Sequence, residues 1–219
     1  MVTDLCKEKI KDYNDKDARY RLANQILYKM VEEHPYHKDE NEIVAKMWII
    51  GRTYAAAIER RPNKSKTPGD FYYKYVAPKL KKSELDSKIG ELAQYNSISE
   101  SNLPQILSVH KYLMDIFREL TQKEKRSLAS KYLHFHLPKL FFIYDSRVAS
   151  VVTDFTGKKS RDLQIPEDAD AVYAKFCFKA LQIYNSLNPT TYSEEKTRVV
   201  DNILLRYCDE VGKTAIDEE

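Results

Sequence analysis

Apolar residues recur with a period near 3.6 in almost every stretch between helix breakers. In 17–33, Tyr20, Leu22, Ile26, Leu27, Met30 and Val31 fall on one side. Asp39 or Asn41 is placed to cap a helix carrying Ile43, Val44, Met47, Trp48, Ile50, Tyr54, Ala55 and Ile58, which Arg61-Pro62 would stop. A further helix in 70–77 is expected to end near Pro78, and Ser83 with Asp86 opens one bearing Leu85, Ile89 and Leu92. The pattern continues over 101–120, with Ile106, Leu107, Leu113, Met114, Ile116 and Phe117 facing inward, and over 121–137, where Thr121 and Glu124 have capping-box spacing and Pro138 is the stop. Asp145 opens a helix to about Phe155. A polar loop over 156–164 and two closing helices, about 167–187 and 193–211, complete the chain. Only 140–144, Leu-Phe-Phe-Ile-Tyr, looks like a strand, and it is too short and isolated to build a sheet. The expectation is an all-α fold.

Glycine usage removes whole classes of function. The five glycines are Gly51, Gly69, Gly90, Gly157 and Gly212, no two within ten residues of each other. Dinucleotide fingerprints and phosphate loops need glycines a few residues apart so that backbone approaches phosphate closely, and both are excluded. The 36 basic and 33 acidic residues nearly cancel, leaving +3, too balanced to prove a nucleic-acid partner. Cys6, Cys177 and Cys208 are odd in number and far apart, without the short spacing of a zinc or iron–sulfur site, so ordinary reduced thiols and a cytoplasmic location are expected. No apolar run approaches the roughly 20 residues of a membrane span, and the first residues carry no apolar signal core. Sixteen tyrosines against eight phenylalanines suit either a wet, base-stacking cleft or the rim of a helical core.

Candidate chemistry concentrates in 120–148. Leu120-Thr-Gln-Lys-Glu-Lys125 links two helices, Arg126-Ser127-Leu-Ala129 follows, and Asp145-Ser-Arg-Val148 opens the next helix, eighteen positions after Ser127. A carboxylate at a helix N-terminus is held ionised by the dipole and by free N–H groups, the state needed beside a developing cation. The same residue is equally suited to plain N-capping. Ser127, Ser130, Lys131 and His134 form one polar stripe, which suits a solvated face or a cleft wall; Leu128, Ala129, Tyr132, Leu133 and Phe135 lie opposite. His134 and His136 point roughly 200° apart on a helix and make a poor metal site.

This register resembles the helix–hairpin–helix DNA glycosylase superfamily, most closely its adenine-glycosylase and endonuclease III-like branch. In that family a basic residue, then Ser or Lys, one residue and Ala open the second hairpin helix, and the catalytic Asp follows eighteen positions later within an apolar-Asp-x-x-Val signature. Leu133, Leu137, Lys139, Phe141 and Ile143 also keep the family's register, and the match spans about 30 of 219 residues. The resemblance implies two helical lobes about a cleft, one from 1–35 and 145–219 and one from 36–144 containing the hairpin-like 120–125. It implies flipping of a modified, damaged or mismatched base out of DNA and hydrolysis of its N-glycosidic bond, by a monomer without metal or cofactor. Asp145 would stabilise the cationic sugar and orient or deprotonate water. Ser127 stands where lyase-type members carry a nucleophilic Lys, implying a monofunctional enzyme, with Lys131 one turn on available to contact phosphate or replace the nucleophile. DNA contacts are expected from Lys123, Lys125, Arg126, His134 and Arg147.

Two features depart from the family. The hairpin lacks its glycine-rich turn, and the four-cysteine cluster of many relatives is absent, so no iron–sulfur centre is expected. A second constellation runs from Trp48 through Gly51, Arg52, Tyr54 and Ala55-Ala-Ala57 to Glu59, Arg60 and Arg61. It suits a base pocket, with Tyr54 stacking and Arg52, Glu59 and Trp48 around it; close helix packing explains the alanines as well. Lys64, Lys66, Lys79, Lys81, Lys82, Lys158, Lys159 and Arg161 suit phosphate contacts or plain solvent exposure. Arg198 and Asp201 suit an i, i+3 pair or, for Asp201, a second acid in the cleft. A non-catalytic DNA- or protein-binding relative is the alternative function, and a ribonuclease or other toxin using His134, His136 and tyrosines a third.

Overall fold

The computed structural model describes residues 2–14, 20–59, 68–157, 165–188, 192 and 195–212. The basic positions Arg60, Arg61, Lys64, Lys66, Lys158, Lys159 and Arg161 lie outside them. The fold is all-α, with no strand among the described residues. The helices are α1 (Asp4–Asp12), α2 (Arg21–Glu33), α3 (Glu40–Thr53), α4 (Pro68–Phe71), α5 (Ala77–Lys81), α6 (Leu85–Leu92), α7 (Leu103–Thr121), α8 (Arg126–His136), α9 (Ser146–Thr156), α10 (Ala171–Ser186) and α11 (Lys196–Glu210). The cysteines are buried free thiols.

Packing centres on α8, whose residues Leu128 to Phe135 are all buried. Helices α2, α3 and α7 pack against it, while α1, α10 and α11 pack around α9. The six inward positions read for α7 are all buried. On α2 the expected side is only half right. Leu27 and Val31 are buried, but Tyr20, Leu22 and Ile26 are 72%, 70% and 60% exposed. The buried polar residue Asn24 sets the rotation instead, because the Tyr54 hydroxyl donates to its Oδ1 at 2.6 Å.

Helix α3 ends five residues before Ile58. Ala55 takes a left-handed conformation (φ 53°), Ala56 N–H donates to Gly51 C=O and Ala55 N–H to Arg52 C=O, closing a Schellman motif. The three alanines therefore leave the helix. A Cβ on Gly51 would meet the Cα of Ala57 at 3.1 Å, so glycine here permits the chain to fold back. Glycine is the residue that Ala55 itself lacks. Ala55→Gly removes the left-handed penalty at an exposed site, and a gain of about 0.5–1 kcal/mol in urea-unfolding stability is expected. An unchanged or lower midpoint would contradict the strain.

Pro78 does not stop its helix either. Residues Tyr72–Val76 form a π-helical turn in which Ala77 N–H donates to Tyr72 C=O, and α5 continues through the proline. The wider turn accommodates the missing N–H and the ring. The capping box at Thr121 is absent. Helix α7 runs on through Thr121, whose hydroxyl donates back to Phe117 C=O at 2.7 Å, and Gln122 (φ 60°) ends it. Helix α8 then starts only at Arg126, with Lys125 as N-cap and no side-chain cap, and Glu124 pairs with Arg118 at 3.4 Å. The Ser/Thr-x-x-Glu spacing misleads here because the strongly apolar face of α7 extends one residue further and carries the threonine into the helix.

Candidate active site around Asp145

A buried extended segment delivers Asp145. Residues Leu140–Tyr144 are buried without a strand partner, so their backbone polar groups require other partners. Side chains supply them. Tyr144 N–H donates to Ser130 Oγ (2.9 Å), His134 Nδ1 donates to Phe141 C=O (2.8 Å) and the Tyr173 hydroxyl donates to Phe142 C=O (2.8 Å). Two members of the polar stripe on α8, Ser130 and His134, thus form a rack for the segment. Ser130, Lys131 and His134 of the stripe are buried and Ser127 is half-buried, so the stripe is not a solvated face.

The other two members meet Asp145. Lys131 Nζ lies 2.7 Å from Ser127 Oγ, 3.2 Å from Asp145 Oδ2 and 3.3 Å from Tyr54 C=O. Three acceptors for three protons is the arrangement of an ammonium with every donor placed. Because Ser127 Oγ accepts from Lys131, its own proton remains to be given. Asp145 is the N-cap of α9, its Oδ1 accepting from Arg147 N–H at 3.1 Å. Its side chain is 30% exposed and that of Lys131 3%. Capping and facing the site are therefore two oxygens of one carboxylate. The i, i+4 spacing of Ser127 and Lys131 was legible in the sequence; the convergence of both with Asp145 depends on the rack.

The expected base-pocket residues divide. Tyr54 joins the site: its ring packs edge-on against Phe135 at 5.5 Å, with Lys131 Nζ and the Arg198 guanidinium 5.8 and 5.6 Å from its centroid. Trp48, Arg52 and Glu59 gather elsewhere. Arg52 lies over Trp48 at 5.7 Å and pairs with Glu59, which accepts from the Tyr72 hydroxyl at 2.5 Å. The helix break at Ala55 separates the two groups.

The expected DNA contacts need correction. His134 is buried, accepts from the Tyr28 hydroxyl at Nε2 (2.6 Å) and is held neutral, its pKa pushed down to about 3 by burial and the Arg198 charge. Lys125, the N-cap residue of α8, is also buried. Arg126 grips Asp170 with both arms of its fork, at 2.6 and 2.9 Å. Burial pushes the Asp170 carboxyl up, but Arg126 and the Tyr173 N–H outweigh it and hold the group below its ordinary range. Arg147 pairs with Asp209. Among the five, Lys123 is half-buried, and its backbone N–H and C=O both bond to the Thr121 hydroxyl at 3.3 Å. Of the further basic positions, Lys79 pairs with Glu119 at 2.5 Å and Lys81 with Glu40 at 3.8 Å. Arg198 and Asp201 pair at 2.9 Å, both 2% exposed, so Asp201 is not an acid facing solvent. No group of three or more metal-ligating side chains exists among the described residues, and no described helix is long and apolar enough to cross a membrane.

The sequence shows no signal for the buried histidines as a set. Burial also depresses His37, His110 (to about 4) and His136. A histidine whose folded pKa is depressed costs nothing above its ordinary value near 6.5. As pH falls below that, the unfolded chain takes up the proton first and stability drops. At pH 5 His134 alone is expected to cost about 2 kcal/mol. Urea midpoints should therefore fall steadily from pH 7 to pH 5, and equal midpoints at the two pH values would refute the neutral, buried assignment.

Compared with known protein families, with curated proteins and with solved structures, the chain matches none.

Proposed function

We propose that the protein is a monofunctional DNA glycosylase that releases a modified, damaged or mismatched base by hydrolysis. The observation that carries this reading is the meeting of Ser127, Lys131 and Asp145 through bonds of 2.7 and 3.2 Å on Lys131 Nζ. In the reaction the bond between C1′ and the base nitrogen breaks, its electron pair leaves with the base, and water adds to C1′. Asp145 Oδ2 faces the developing cation and takes the proton of the attacking water. Lys131 holds that carboxylate in place, and the Ser127 hydroxyl donates to water or to a neighbouring oxygen of the substrate. With all three protons of Lys131 placed on acceptors, its nitrogen has no lone pair for a Schiff base, which supports release of the base without strand cleavage.

The test is a panel of fluorescent duplexes, each with one lesion or mismatch, incubated with protein and then cleaved by alkali. At least one duplex is expected to yield product only after alkali, and borohydride is expected to trap no covalent complex. Wild-type protein inert on every duplex would remove the enzymatic reading. The alternative is a non-catalytic DNA- or protein-binding relative, and one observation favours its protein-binding form: Lys125 and His134 are buried, and Arg126 and Arg147 are committed to carboxylates. Steeply salt-dependent DNA binding that survives Asp145→Ala, without base release on any duplex, would decide for that relative.

A further inference from the structure

The end of α3 is held at a local cost. Ala55 takes a left-handed conformation (φ 53°) without being glycine, and the chain folds back so closely that a Cβ on Gly51 would lie 3.1 Å from Ala57 Cα. Strain of this kind persists where the surrounding structure over-determines it, and it concentrates at functional sites. What the turn delivers is the carbonyl of Tyr54, the C-cap residue of α3, at 3.3 Å from Lys131 Nζ. Had α3 continued, that oxygen would have accepted from the N–H of Ile58.

Tyr54 is also pinned through its side chain. Its hydroxyl donates to Asn24 Oδ1 at 2.6 Å and its ring meets Phe135 edge-on at 5.5 Å, so α2 and α8 both fix the residue that carries the oxygen. Two helix ends of opposite polarity therefore meet across one ion pair. The C-terminal end of α3 carries partial negative charge and faces the Lys131 ammonium; the N-terminal end of α9 carries partial positive charge and is capped by Asp145. Lys131 and Asp145 lie 3.2 Å apart, the lysine side chain 3% exposed. Of the three acceptors on Lys131, Ser127 Oγ belongs to the same helix and Asp145 to the N-cap of α9, and Tyr54 C=O is the one that α3 supplies.

We infer that Tyr54 is a positioning residue, whose main-chain oxygen fixes Lys131 Nζ between Ser127 and Asp145 and keeps all three of its protons engaged. This role rests on the reading of Ser127, Lys131 and Asp145 as a reaction centre, and it gives the left-handed turn its task. With the Tyr54 oxygen in place the lysine has no lone pair to attack a sugar, and it serves the carboxylate instead.

Nuclear magnetic resonance of the full chain carrying isotope-labelled lysine reads the ammonium directly. An ammonium with every proton bonded exchanges slowly with water, so Lys131 is expected to give a resolved ammonium signal, assigned by its loss in Lys131→Met. Gly51→Ala presses Ala57 away by a few tenths of an ångström, enough to lengthen a bond that is already 3.3 Å. Exchange of the Lys131 ammonium should then accelerate at least about tenfold. Ala55→Gly favours the same backbone and should leave exchange within about twofold of wild type. Tyr54→Phe keeps the ring but loses the tie to Asn24, and exchange should rise about threefold or more. Asn24 lines, with Tyr28 and Phe135, a cavity of about 610 Å³, which leaves room for water beside the amide, so this variant stays folded even where Gly51→Ala does not. On any duplex that the wild type processes, folded Gly51→Ala should release base at least about tenfold more slowly with duplex affinity unchanged.

Absence of the Lys131 signal from the wild type, unchanged exchange in folded Gly51→Ala or in Tyr54→Phe, or a full rate of base release alongside faster exchange would each overturn the role. Because the ammonium is read without substrate, a protein inert on every duplex whose Lys131 behaves as expected would lose the glycosylase reading and keep Tyr54 as the holder of Lys131. Base release by a protein whose Lys131 signal ignores both variants would reject only the role of Tyr54.

Discussion

Asp145→Asn is expected to lower the single-turnover rate of base release by about 10²–10⁴-fold while the protein stays folded. The substitution separates the two tasks of the residue. Asparagine is as good an N-cap as aspartate, so the bond from Arg147 N–H is kept. Its single amide oxygen keeps the cap, so the amide nitrogen takes the place of Oδ2 and the 3.2 Å bond from Lys131 Nζ is lost. What disappears with it is the negative charge that the proposed chemistry needs and the capacity to take a proton. The unfolding midpoint of the variant should therefore fall less than that of Asp145→Ala. Asp145→Ala loses the cap as well, at a cost of about 1 kcal/mol, and leaves Lys131 without its counter-ion. If Asp145→Asn retained full excision, the carboxylate would be a cap only, and the chemistry would have to be sought elsewhere.

The largest effect on stability is expected at Asp201. Arg198 and Asp201 are both 2% exposed and pair at 2.9 Å, with the Arg198 guanidinium 5.6 Å from the Tyr54 ring and close enough to His134 to depress it. Asp201→Ala removes the carboxylate with which the buried guanidinium pairs, which costs about 3–5 kcal/mol. For a chain of this size that corresponds to a fall of about 10 °C in the unfolding midpoint. A double change, Arg198→Met with Asp201→Leu, removes both charges and should recover most of the loss. A single variant within about 1 kcal/mol of wild type would show that the pair is solvated.

The three residues expected to carry chemistry, Ser127, Lys131 and Asp145, were visible as a spacing, but what brings them together was not. The stripe Ser127, Ser130, Lys131 and His134 is a single helical face in the sequence. In the fold it serves two ends: Ser130 and His134 satisfy the backbone of 140–144, and Ser127 and Lys131 hold the carboxylate which that segment delivers. Nothing local distinguishes these tasks, because the partners in 141–145 lie seven to fourteen residues away, beyond the reach of one helical turn. The basic residues misled for the same reason. Lys125 and Arg126 look like a phosphate-binding pair until α10 brings Asp170 to Arg126 and the turn buries Lys125.

The scarcity of glycine had a consequence in the backbone. Ala55 and Gln122 take left-handed conformations at the ends of α3 and α7, positions where glycine is the usual residue. Neither can be read from composition, since propensity alone favours letting an Ala-rich helix run on.

The all-α class, the inward face of α7 and the helix opened by Asp145 followed from the sequence itself. Periodicity and a capping residue act within a few positions of the chain, so local order suffices to express them. The rotation of α2, the end of α3, the start of α8, the division of the Trp48–Glu59 set and the cavity lined by Tyr28 and Phe135 were decided by tertiary structure alone. Each depends on which distant group satisfies a buried donor, acceptor or charge, and burial is a property of the packed chain.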